Sequence, residues 1–396
     1  MIGDGWGGEP AVRPGEFDQS PDQPRPARVA VVTGSRADFG LLRPVMHAIH
    51  EHPRLELCCI AAGSHLISPA ITFRDVKAEF AIADSVPMQV AGRTGRRADV
   101  EALGKGIARF GRSFATLEPT WVVVLGDRIE AFAAASAASV GGIPVAHIHG
   151  GDRAEGVADE AMRHAITKLA HLHLAATDES AQRITRMGEK PETIHRVGSP
   201  AIDGLAAIPP LADDRYAELG SPDTLVLFHP VGRHPEDEEA AASQLLDALK
   251  QADPPRTALA LMPNHDPGRL GIVRALEQSG LPTREHLKRD EFVGLLRRID
   301  LLVGNSSAGL IEAAALGVRV VDIGDRQAGR ERPACVVHAE REHADSIAAA
   351  IQTALDTPAT DEPHPFGDGR ASPRIAALLA EHASRAHLLV RKHNSY

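Results

Sequence analysis

Residues 147–168 read HIHGGDRAEGVADEAMRHAITK. Asp152, Glu155, Asp159 and Glu160 share this window with His147, His149 and His164. Three chemistries fit: a metal site, proton transfer, or a helix start dressed with charge. His147 and His149 alternate along a strand and share a face, and Asp152 follows. A metal site of a familiar kind would also need a cysteine set or an H-E-x-x-H helix, and the chain has neither. A helix starting near Ala158 would place Asp159 and Glu160 in its first turn, where the helix dipole favours acids. It would also pair Asp159 with Arg163 and Glu160 with His164 at i,i+4. That accounts for half of the charges. Proton transfer asks for several carboxylates around one carbon and a ligand site close by.

Other clusters supply that ligand site. VVVLGDR ends an apolar strand on Asp127 and Arg128. Asp127 is placed as a general base would be, although an acid that caps the next helix looks the same. GNSSAGLIEAAALG sets Ser306 and Ser307 at the start of an Ala-rich helix, where free N–H groups suit a phosphate or diphosphate. Glu312 lies one turn further on, within reach of ribose hydroxyls. The plain alternative is a cap by Asn305 or Ser306. TGSRADFG puts Arg36 just past the first strand, with phosphate or Asp38 as its partner. GDRQAGR offers Arg326 and Arg330 in the same way. FHP aims His229 back toward the strand ends. MPNHDPG is a turn whose Asn264 and Asp266 either contact ligand or shape the loop. No lysine follows GNSSAG and no G-x-G-x-x-G follows the first strand, which disfavours a Walker loop and a nicotinamide dinucleotide fold.

These clusters need a frame. Apolar runs at Val29–Val32, Leu55–Ala62, WVVVLGD, IPVAHIHGGD, HLHLAATD and ETIHRVGSPAID alternate with helical segments, and a second series follows at TLVLFHP, TALALMPNHD, DLLVGNSS and VRVVDIGDR. Alternation of this kind predicts parallel sheets with helices on both faces. The expected division is a disordered tail (1–26), two Rossmann-like domains (27–205 and 206–372) and a C-terminal helix (373–396) free to pack back on the first domain. Ligands bind beyond the carboxyl ends of such strands, and the polar clusters lie there, so the two doubly wound domains are expected to face a cleft.

Composition bounds the partners. The 396 residues carry 43 basic and 53 acidic side chains, a net charge of −10, which disfavours a general nucleic-acid binder. No run of about 18 apolar residues suggests a membrane span, and no secretory signal is legible at the N-terminus. Cys58, Cys59 and Cys335 read as reduced core residues of a cytoplasmic protein.

With these motifs assembled, the chain resembles the UDP-N-acetylglucosamine 2-epimerases, and more closely their hydrolysing branch from sialic and related nonulosonic acid pathways. TGSRADFG, GSHL, VLGDR, IPVAHIHGG, DEAMRHAITKLAHLH, HPV, PNHDPG, GNSSAG and GDRQAGR carry the resemblance, from about Arg28 to His338. It implies a GT-B-like pair of domains with a UDP-sugar between them, no metal and no nicotinamide cofactor, and a homo-oligomer, dimer or tetramer. It implies loss of the C2 proton as UDP leaves C1, a bound glycal, and re-addition of water to give a free C2-epimeric sugar. The alternatives are a non-hydrolysing epimerase and a GT-B glycosyltransferase. By resemblance, Asp127, Asp159 with Glu160, and His229 take catalytic positions. Arg36, His65, Arg128, Asn264, Ser306, Ser307, Glu312 and Arg326 take substrate positions. Several members read H-I-E-G-G where this chain has His149, so His149, Asp152 or Glu155 must supply the second acid/base.

Overall fold

The structure, a computed structural model, describes residues 25–68, 72–93, 95–153, 160–264, 266–358 and 362–395. Asp159, Glu155 and the tail 1–24 lie outside them. The first half runs β1 (Ala27–Thr33), α1 (Arg36–Glu51), β2 (Leu55–Ala62), α2 (Phe73–Glu79), β3 (Ile82–Val86), α3 (Arg96–Leu117), β4 (Trp121–Leu125), α4 (Ile129–Val140), β5 (Val145–Ile148), α5 (Glu160–Leu169), β6 (Leu172–Ala175), α6 (Asp178–Arg186) and β7 (Ile194–Arg196). The second runs α7 (Asp213–Glu218), β8 (Thr224–Leu227), α8 (Pro235–Lys250), β9 (Ala258–Leu261), α9 (Arg269–Ser279), β10 (Thr283–Arg284), α10 (Arg289–Leu296), β11 (Leu301–Gly304), β12 (Arg319–Ile323), β13 (Val336–Ala339), α11 (Ala344–Asp356), α12 (Ala371–His382) and α13 (Ala386–Leu389).

Both sheets are parallel throughout. The first has seven strands in the order β3-β2-β1-β4-β5-β6-β7, the second six in the order β10-β9-β8-β11-β12-β13. The central strands are apolar on both faces because helices cover both: Val29, Val31 and Val123 pack under α1, while Ala30, Val32 and Val124 pack under α3 and α4. Each fully buried Val or Leu of this kind contributes about 1.5–3 kcal/mol. The strand order reverses between β1 and β4 in the first sheet and between β8 and β11 in the second. Crevices at such reversals are where ligands bind in open α/β sheets.

The end of the chain returns to the first sheet. Ile375 and Leu379 of α12 lie in its core, and the indole N–H of Trp121 donates to the Leu379 carbonyl at 3.1 Å. Asp203 binds the first backbone N–H groups of α12, Ala371 at 2.9 Å and Ser372 at 2.5 Å. Cys58 and Cys59 are buried free thiols, while Cys335, expected in the core, is only half-buried. No helix among the described residues is long and apolar enough to cross a membrane.

Candidate functional site

The carboxyl ends of the two sheets meet. Arg36, at the start of α1, reaches His286 beyond β10 at 2.6 Å. Arg330 donates to the Arg153 carbonyl at 2.8 Å, Arg183 donates to the Gly329 carbonyl at 3.0 Å, and the Thr177 hydroxyl bonds the Glu331 carboxyl. Between the halves lies a cavity of about 590 Å³, with Met88, Gln89, Arg128, Ile129 and Met162 on one side and Asp266 and Pro267 on the other. Its lining does not extend to His229 or Ser306.

On the first wall, β1 ends in a tight network. Ser35 caps α1 and Asp38 closes the capping box. Asp38 accepts from the Thr33 hydroxyl at 2.6 Å and from the N–H groups of Gly34 at 2.9 Å and Ser35 at 3.0 Å. Burial raises its carboxyl, against those bonds. Asp38 is thus occupied, and Arg36 goes across the cleft instead of pairing with it. His65, expected to bind substrate, has no exposed surface. Its Nε2 lies 2.9 Å from Thr33 and its Nδ1 2.5 Å from Thr72. Burial brings its pKa down to about 4, so the ring is neutral at pH 7 and bridges two hydroxyls. His65 thus ties the end of β1 to the loop after β2 through two hydroxyls.

Asp127, at the end of β4, is mostly shielded and bound by the Arg163 guanidinium of α5. Helix spacing pairs Arg163 with Asp159; the described contact runs between elements, to Asp127. Burial, then the nearby charge of Arg330, brings Arg163 down to about 9, and it still carries its charge at pH 7. Arg128 leads into α4 and lines the cavity, with Nε 3.5 Å from Glu130.

After β5 the backbone at His149 takes φ +63°, an uncommon left-handed conformation for a residue that is not glycine. It turns the imidazole inward, Nδ1 2.7 Å from Asp152 and Nε2 2.9 Å from the Ser199 hydroxyl. Asp152 also accepts from the Ser180 hydroxyl at 2.8 Å. Burial acts to raise the Asp152 carboxyl, but attraction to His149, its hydrogen bond, Arg330 and Ser180 outweigh it and hold it below the usual carboxylate range. His147 is fully buried, binds the Gly126 carbonyl at 2.8 Å and is brought by burial to about 3. Glu160, half-buried at the start of α5, sits 3.3 Å from His164 and 3.5 Å from Arg153. The expected i,i+4 pair with His164 is present.

The second wall centres on an imidazole in place of a carboxylate. His229 follows β8; its Nδ1 accepts from the Asn264 N–H at 3.3 Å, which leaves the proton on Nε2. Burial, then Arg326, brings it to about 3, so it is a neutral N–H donor across the working pH range. Asn305, read as a helix cap, instead clamps His229: its Oδ1 accepts from the His229 N–H at 2.8 Å and its Nδ2 donates to the His229 carbonyl at 2.9 Å. Arg326 and Gln327 both donate to the Asn305 carbonyl, at 3.2 and 2.9 Å. Asn264 turns its amide to Asp266 at 2.6 Å. Ser306 and Ser307 stand half-exposed at the start of the helical segment after β11, and the following Gly309–Ala313 turn is π-helical, a form frequent at functional sites. Glu312 within it is buried and meets Arg289 at 3.5 Å.

The structure therefore joins Asp127 to Arg163, Asp152 to His149, and His229 to Asn264, Asn305 and Arg326. It does not join Ser306, Ser307 or Glu312 to either carboxylate pair. Arg163, Asn305 and Arg289 are the members that motif reading left in minor roles. Two of them sit inside quoted motifs, and only their partners, set by tertiary contact, were illegible.

A family model described as UDP-N-acetylglucosamine 2-epimerase matches residues 47–380. Over 380 residues the chain is 34% identical to the UDP-N,N'-diacetylbacillosamine 2-epimerase (hydrolyzing) of Legionella pneumophila, covering 93% of this chain and 99% of that one. Over 364 residues it is 32% identical to the UDP-N-acetylglucosamine 2-epimerase of Neisseria meningitidis, covering 87% and 92%. A crystal structure of UDP-GlcNAc 2-epimerase from Neisseria meningitidis bound to UDP-GlcNAc superposes with a TM-score of 0.75 at 20% identity, covering 89% of this chain and all of that one, and so shares the GT-B-like fold. The strand-end polar clusters, the paired sheets and these matches along nearly the whole length lead to one statement: the chain belongs to the UDP-N-acetylglucosamine 2-epimerase family.

Proposed function

We propose that this protein is a hydrolysing 2-epimerase that converts UDP-N-acetylglucosamine, or a 2,4-diacetamido-trideoxy analogue, to the free C2-epimeric sugar and UDP. The observation that supports the hydrolysing branch most is the 34% identity, over 99% of its length, to a relative named as hydrolyzing. Its product would feed the building of nonulosonic acids, in the cytoplasm and from a homo-oligomer. Sedimentation as a monomer at working concentration would end the last point.

In this reading a carboxylate takes the C2 proton while the C1–oxygen bond to UDP breaks, leaving a C1–C2 double bond. Water then gives its hydroxyl to C1, and a proton reaches C2 from the opposite face. Two proton transfers of opposite sense need two groups in different environments. Asp127 and Asp152 stand in the loops that follow the adjacent strands β4 and β5, with different partners, a guanidinium and an imidazole. Asp127 is assigned the first transfer. The second is assigned to the His149–Asp152 pair, in which the imidazole hands its proton to C2 and the Asp152 carboxylate orients the ring. Glu160, at the start of α5, and Asp159, outside the described residues, are retained as candidates for the same wall.

His229 offers a neutral N–H to the diphosphate as charge develops on it. A neutral donor needs no deprotonation to remain in place as pH changes. Arg36, Arg128, Asn264, Ser306, Ser307, Glu312 and Arg326 are assigned to the nucleotide sugar, through free N–H groups, hydroxyls and cations. In this division residues 27–205 carry the acid/base wall, 206–372 the nucleotide, and 373–396 the return helix. Incubation with a panel of UDP- and GDP-sugars, followed by NMR of the products, tests the proposal. Free 2-epimer and UDP in equal amounts are expected. A UDP-linked epimer with no free UDP would assign the non-hydrolysing reaction instead.

A further inference from the structure

Glu130 is an acid with nowhere to go. It sits in the first turn of α4, where an acidic side chain ordinarily points to water. Here it turns inward and is 1% exposed. Its stem runs past Gly34 at the end of β1 and its head lies over Gly63 at the end of β2. A Cβ on Gly34 would fall 2.5 Å from Glu130 Cγ, and one on Gly63, at φ +55°, 2.2 Å from Glu130 Oε1. Both strand ends are thus glycine where this side chain passes. Neither carboxylate oxygen completes a hydrogen bond among the described residues.

A buried carboxylate that completes no hydrogen bond opposes folding, and such groups persist where a site needs them. The charged and titratable groups around it are few. Arg128 lies 3.5 Å away on the cleft side. Asp38 from α1 acts on Glu130 through its charge, and Glu130 in turn acts on His65 from the loop after β2. Burial, against the attraction of Arg128, raises the Glu130 carboxyl, and Asp38 adds to the rise.

We propose that Glu130 is a positioning residue of the cleft: its buried carboxylate fixes the place of the Arg128 guanidinium, which meets the anionic part of the substrate. The inference rests on the nucleotide-sugar reading of the site. It explains why two strand ends leave room for a carboxylate whose burial opposes folding. Arg128 is half-exposed on a long flexible stem, and a carboxylate beneath it limits the positions its guanidinium can take.

The test compares stability with function in the same variant. Glu130→Gln keeps the shape and removes the buried charge. It should raise the melting temperature, weaken UDP binding and lower kcat/KM by about tenfold, the scale of coupling between neighbouring residues. In an Arg128→Ala background the same change should cost less than about twofold, because the group it acts through is gone. A Glu130→Gln protein that is destabilised or fails to fold would overturn the proposal, since a purely structural role predicts that. Unchanged UDP affinity and kcat/KM, or a loss that persists in full without Arg128, would overturn it as well. If the native chain turns over no UDP-sugar, the proposed function fails, while the UDP-affinity and melting-temperature comparisons still decide the role of Glu130.

Discussion

The wall built by the seven-stranded sheet holds its acids on basic partners: Asp127 on Arg163 of another element and Asp152 on the His149 imidazole three residues away. The wall built by the six-stranded sheet holds a neutral imidazole, clamped by two asparagines, beside half-exposed serines at a helix start. The same topology, two parallel sheets each with a strand-order reversal, therefore carries two kinds of surface. An ionised carboxylate can take a proton, and an imidazole oriented by a carboxylate can give one. Neutral donors and free N–H groups can hold a diphosphate without taking part in proton traffic. The difference teaches that each wall is to be probed with its own readout, turnover on the first and affinity on the second.

The largest effect is expected on the first wall. Asp127→Asn should reduce kcat by about 10²–10⁴-fold, the usual worth of a positioned acid or base, with UDP affinity held near native. Asp159→Asn should behave alike. A Asp127→Asn variant with near-native turnover would remove the residue from the chemistry and erase the contrast. On the second wall, Ser307→Ala and Glu312→Gln should act mainly through KM, each by roughly tenfold, with kcat little changed, because they remove binding shared by ground and transition states. An equal fall in kcat would show that this wall also discriminates the transition state.

A smaller effect concerns acid stability. Buried histidines with folded pKa values below the ordinary 6.5 bind fewer protons folded than unfolded, so stability is full above about pH 6.5 and declines as pH falls toward the folded values. In the first half His65 and His171 stand at about 4 and His147 at about 3, with His173 and His195 also lowered by burial; in the second His229 stands at about 3, with His286 and His364 also lowered. Each contributes a slope of up to about 1.4 kcal/mol per pH unit in that window. Hydrogen exchange at pH 5 should show the first sheet loosening before the second. Uniform loosening of both sheets would contradict the assignment.

The central strands were legible because burial on both faces makes them unbroken apolar runs, as in VAVV, WVVV and TLVL. The edge strands β3, β10 and β13 escaped. IADSV is broken by Asp84 and Ser85, β10 has two residues, and VVHA is half-buried, so none carries the signal of a buried strand. Asp127, Asp152 and His229 were legible for a different reason: polar residues at the carboxyl ends of parallel strands face the crevice. Their partners were not. Arg163 satisfies helix spacing with Asp159 and yet reaches Asp127, and His65 lies in a strand-end cluster and yet bridges Thr33 and Thr72. Glu130 carried no signal, since an acid in a first helical turn is ordinary until its direction is known.

The central claim is that proton removal at C2 and loss of UDP from C1 occur in one active site. Turnover in deuterated water, with NMR of the released sugar, tests it most directly. The account predicts one deuterium at C2 of every free product molecule, together with one UDP. Release of UDP with protium retained at C2 would contradict it.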